Sequence, residues 1–124
     1  MKQALAFVAA LMLIGSAVAQ HKHSDKGPNG GPMEDVAGVH AELMVSGSTL
    51  TINVFDEDSK PVSTKGFSGA ALIVAGADKE TVSLSPSGQS ALKAEAKKPI
   101  AAGSAITITL KTAAGKSGQV KFGK

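Results

Sequence analysis

One stretch, Val39 to Asp56 (VHAELMVSGSTLTINVFD), constrains the fold of this chain more than any other. Apolar and other side chains alternate on both arms, which is the period of a β-strand. Val39, Ala41, Leu43 and Val45 point one way, as do Leu50, Ile52 and Val54 after the turn. Gly47-Ser48 suits a two-residue type II′ loop, because glycine at the first central position accepts a positive φ. That loop pairs Val45 with Leu50, Leu43 with Ile52 and Ala41 with Val54, so turn and pattern agree on one register. The predicted core face is therefore fixed. His40, Glu42 and Met44 fall on the other face, opposite Phe55, Asn53 and Thr51.

The segment before this hairpin has a different character. Met1-Lys2-Gln3 is a basic start, Ala4 to Gly15 is apolar, and Ala17-Val18-Ala19 gives an A-x-A cleavage motif, which together read as an export signal over residues 1–19. The apolar run falls short of the roughly 20 residues that a membrane span needs. No cysteine occurs anywhere, so a lipid anchor after cleavage is not expected, and neither are disulfides or thiolate metal ligands. The expected location is periplasmic or secreted. Residues 20–38, QHKHSDKGPNGGPMEDVAG, are polar and rich in Gly and Pro, and read as a flexible leader. One domain, 39–124, follows.

Within that domain short apolar-alternating runs recur at the spacing of turn signals. Asp56 to Pro61 is an acidic turn that lacks the glycine and final glutamate of an EF-hand, so a solvated loop is expected in preference to a Ca²⁺ site. Ser68 to Ala75 is nearly continuous in apolar residues, as in a strand covered on both faces or crossing between sheets. Glu80 to Ser85, Ser90 to Ala96, Ser104 to Lys111 and Gly118 to Phe122 complete the series, with Pro86 to Gln89 as a turn and Val120 and Phe122 facing Leu110 and Ile108. The expectation is an all-β fold, an immunoglobulin-like β-sandwich of about seven short antiparallel strands. A closed barrel is the alternative.

Composition removes several functions. The chain has no Trp, Tyr or Arg, and its net charge of +3 comes from lysines mixed with acids. Base-stacking platforms and bidentate phosphate forks are therefore missing, and no nucleic-acid partner is expected. No G-x-S-x-G elbow, P-loop or H-E-x-x-H motif occurs, so no enzyme is expected.

The three histidines carry what chemistry there is. His21-Lys22-His23 is an H-x-H pair on the leader, and imidazole suits Cu(II), Ni(II) and Zn(II). After cleavage at Ala19, His21 becomes the second residue. The free amine, the intervening backbone nitrogen and the His21 ring can then chelate Cu(II) in a tetragonal plane. Met33 and Met44 add thioethers that favour Cu(I). His40 and Glu42 share the outer face of the first strand, two residues apart, and form a minimal pair that the leader can complete. The candidate metal residues are thus His21, His23, His40 and Glu42. The alternative is a solvated tail, with His40 packed against Phe55.

The order H-K-H, G-P-N-G-G, V-H-A-E-L and D-x-D-S-K-P-V, spanning Gln20 to Val62, resembles small exported Ig-like bacterial proteins. It is also similar to the periplasmic N-terminal region of heavy-metal efflux adaptor (membrane-fusion) proteins. The resemblance implies a periplasmic module that handles copper, zinc or a similar ion beside efflux components, with His21, His23 and His40 in the metal role. The chain departs from an adaptor in lacking a helical hairpin and a lipoyl-like segment. The expected function is therefore non-enzymatic Cu or Zn binding through leader and first strand. A metal-free protein–protein interaction module is the alternative.

Overall fold

The computed structural model describes residues 26–122. Residues 1–19, expected to be an export signal, and the candidate ligands His21 and His23 lie outside the described residues. Among the described residues there are eight strands and no helix. They are β1 (Met33–Val36), β2 (Val39–Ser46), β3 (Thr49–Phe55), β4 (Ser68–Ala75), β5 (Asp78–Ser87), β6 (Ala91–Glu95), β7 (Ala105–Lys111) and β8 (Ser117–Phe122).

The strands form one antiparallel sheet in the order β1-β2-β3-β6-β5-β4-β7-β8. The sheet curls until its edge strands nearly meet. A Cβ placed on Gly118 of β8 would stand 2.9 Å from the Ala37 nitrogen and 3.2 Å from Val36 Cγ2, so glycine is what permits the approach. The all-β expectation is met by this nearly closed sheet. Strand β5 carries the curl: it pairs with β4 through Leu84 and with β6 from Ser85 onward. The partner switch falls on β5, and not on the apolar β4, which lies between β5 and β7 with Ala71 and Ile73 inward.

The central hairpin has the expected register at every position, from His40↔Phe55 to Ser46↔Thr49. Gly47 has φ +62, whereas Ser48 is not in the positive-φ region, as a type II′ loop requires. Ala41, Ile52 and Val54 are completely buried, and Ile52 lies across from Leu43 on one side and Leu92 on the other. Together with Leu50, Ile108 and Leu110 they form the middle of the core.

Four expectations need correction. The fold starts before Val39: the stretch read as flexible leader contributes β1, which pairs with β2 from Met33↔Glu42 to Val36↔Val39. Val45 points inward as expected, yet it is 41% exposed, because among the described residues no strand covers the end of β2 there. Pro86 belongs to β5, opposite Leu92, and the turn starts only at Gly88. Finally, Val120 faces Ile108 and Phe122 faces Ile106, a shift of two residues along β7. The cause is the loop, which closes with Thr112 N donating to Lys116 O and Gly115 N to Thr112 O, and so pairs Lys111 with Ser117.

Candidate functional site

The outer face of β2 is covered by the turn that precedes β1. Gly27-Pro28-Asn29-Gly30-Gly31-Pro32 folds back tightly, with Gly27 N donating to Gly31 O at 2.7 Å and Gly30 N to Gly27 O at 2.9 Å. Lys26 and Pro32 form an antiparallel bridge at its base. Glycine is required at two of these positions for lack of space. A Cβ on Gly27 would stand 2.7 Å from Glu42 Cγ, and one on Gly31 would run into the Leu43 carbonyl oxygen and lie 2.6 Å from Met44 Sδ.

Glu42 lies beneath this turn and has no exposed surface. Its Oε2 accepts hydrogen bonds from Asn29 N at 2.8 Å and Gly31 N at 2.9 Å, and its Oε1 accepts one from Asn29 Nδ2 at 2.9 Å. A buried carboxylate is tolerable only when its oxygens are satisfied in this way, and hydrogen bonds to a charged acceptor are the strong kind. Glu42 therefore clamps the N-terminal turn onto the sheet.

His40 stands two residues away on the same face and is half-buried. Its Nδ1 pairs with Oδ1 of Asp35, the residue directly across from it on β1. The structure thus joins His40 to Asp35 and Glu42 to the turn. Among the described residues, no three His, Cys, Asp or Glu side chains gather as a group that could hold a metal ion.

The acidic loop after β3 holds itself together. Asp56 Oδ1 accepts hydrogen bonds from Asp58 N at 2.8 Å and Lys60 N at 3.0 Å, and Asp56 N donates to Lys60 O at 2.9 Å. The Lys60 amide is the main reason the Asp56 carboxyl is held below its ordinary value. The Asp58 amide and the charges of Lys60 and His40 act in the same direction, against desolvation. A carboxylate engaged by its own loop amides serves as a turn-former.

A second feature escaped the pattern reading. A mostly apolar cleft of about 350 Å³ is lined by Pro32, Leu43, Val45, Ile106 and Phe122 together with the segment Ile100 to Ser104. Asp35 is not singled out by the sequence, and Asn29 and Gly31 stand out only as members of the G-P-N-G-G motif, not as partners of Glu42. The available signal for them was a pair of glycines in a Pro-flanked turn shortly before a strand carrying one acid. No family model matches the chain, and no curated protein matches its sequence.

Proposed function

We propose that the protein is an exported, non-enzymatic β-sandwich module of immunoglobulin-like type that binds Cu or Zn through its leader and the outer face of β2. The sandwich description is supported by β5, whose change of partner separates β1-β2-β3-β6 from β4-β7-β8. His21 and His23 are the principal ligands in this reading and His40 completes them. Glu42 anchors the leader in place of binding the ion. Asp35 orients the His40 ring, as carboxylates commonly do for metal-binding imidazoles.

The observation that carries this reading is the clamp. Through Asn29 and Gly31 it fixes the turn that starts at Gly27 on the strand face that also bears His40. His23 precedes Gly27 by four residues, which extend at most about 14 Å. His40 lies two residues along β2 from Glu42, a rise of about 7 Å. An anchored leader can therefore bring imidazoles together that a free tail would present only transiently. The periplasm and metal-efflux components are the setting and partners that fit this function.

Equilibrium dialysis of the chain starting at Gln20, against Cu(II) and Zn(II) at micromolar concentration, tests the proposal. Retained metal that is lost on combining His21→Ala, His23→Ala and His40→Ala supports it; no retained metal overturns it. The second reading, a metal-free interaction module, draws support from exposed Val45 and from the edge of β2 beside the cleft that β1 does not reach, a place where a partner strand can add. That reading alone survives if no metal is retained.

A further inference from the structure

We infer that Asn29-Gly30 is a spontaneous modification site, where deamidation is held back by Glu42 and, once it occurs, releases the N-terminal turn. Asn-Gly is the dipeptide in which ring closure meets least steric hindrance, and nothing lies within 4 Å of where a Gly30 Cβ would stand. Asn29 is exposed, so water and hydroxide reach it. In the reaction the Gly30 backbone nitrogen loses its proton to hydroxide and attacks Asn29 Cγ. The N–Cγ bond forms, the Cγ–Nδ2 bond breaks, and ammonia leaves after taking a proton from water. Water then opens the succinimide at either carbonyl, giving aspartate or isoaspartate. No oxidant or reductant takes part.

The fold restrains both reacting groups. Asn29 Nδ2, the leaving group, is tied to Glu42 Oε1 at 2.9 Å, which keeps Cγ from turning toward the Gly30 nitrogen. The Gly30 nitrogen is itself engaged with Gly27 O at 2.9 Å. Glu42 accordingly protects the residue that helps to hold it. Either product reverses that relation. An aspartate at position 29 sets a carboxylate against the buried Glu42 carboxylate and removes a donor. An isoaspartate also adds a methylene to the backbone between the two amides that reach Oε2. The change is one-way, and it frees the segment before β1. It stands on the clamp alone and does not depend on metal binding.

The test is peptide mapping by mass spectrometry after incubation in mildly alkaline buffer. It compares the folded protein, the same protein in denaturant, and the folded Glu42→Gln variant. Deamidation at Asn29 should be at least about tenfold slower in the folded protein than in denaturant, the scale set by one charge-assisted hydrogen bond. The Glu42→Gln variant should fall between the two. Asn29→Asp, as a mimic of one product, should lower the melting temperature and remove exchange protection at the Gly31 amide, whether or not Glu42→Gln folds. Equal rates in folded and denatured protein overturn the inference, as does an Asn29→Asp variant with unchanged melting and Gly31 protection.

Discussion

Replacing Glu42 separates a clamp from an incidental burial. Glu42→Ala deletes three hydrogen bonds to a carboxylate, from Asn29 N, Asn29 Nδ2 and Gly31 N. Bonds to charged groups contribute about 1.5–3 kcal/mol each. That sum is an upper limit, because burying the charge carries its own desolvation cost and the turn can peel away to solvate the freed amides. A net loss of about 2–4 kcal/mol is expected. For a domain of this size that lowers the melting temperature by about 10–25 °C. Glu42→Gln keeps the shape: its carbonyl can accept both backbone amides, and Asn29 can flip its side-chain amide to accept from the new NH₂. Only the charge assistance goes, about 1–2 kcal/mol. The chain has no Trp or Tyr, so urea and thermal unfolding are best followed by far-UV circular dichroism. An Ala variant within about 0.5 kcal/mol of the parent, the range of ordinary surface changes, refutes the clamp.

Three further outcomes follow from the same structure. Ile52→Asp places an unpaired charge at a position with no exposed surface and should abolish the cooperative unfolding transition; a folded variant would refute the assignment of the core face. Gly31→Ala drives a Cβ into the Leu43 carbonyl and should cost about 1–3 kcal/mol by urea unfolding, whereas a neutral result would mean that the turn is not seated on β2. Asp56 has a folded pKa below its ordinary value of 3.8, so its contribution to stability is complete above that value and lost as pH falls through the lower folded one. Asp56→Asn should therefore flatten the acid limb of melting temperature against pH, and an unchanged limb would contradict the loop hydrogen bonds.

The hairpin was readable because three independent signals coincide in it. Alternation on both arms and a glycine able to take φ +62 leave only one pairing of Leu43 with Ile52. Strand β1 offered no such signal. Met33-Glu34-Asp35-Val36 contains two acids in four residues, and it is a strand only because β2 pairs with it and Glu42 holds the preceding turn. The burial of Glu42 was hidden for a related reason. Alternation assigns an acid to the solvent side, and a covering turn contributed by a Gly-rich leader is a tertiary fact that no local period records. The strand order was likewise out of reach, since β3-β6-β5-β4 depends on where the connections at 56–67 and 96–104 travel. Both are anchored late in the chain's logic: Thr64 donates through Oγ1 to Ala91 O, and Ile100 N to Gly47 O.

The central claim, that an anchored leader brings its histidines to the His40 face, is tested most directly by paramagnetic broadening. Substoichiometric Cu(II) is titrated into the isotope-labelled chain starting at Gln20, and the broadened amide and imidazole resonances are assigned. Broadening of residues 20–25 together with Asp35 and His40 is the result predicted. Broadening confined to residues 20–25, with Asp35 and His40 untouched at every titration point, would contradict it.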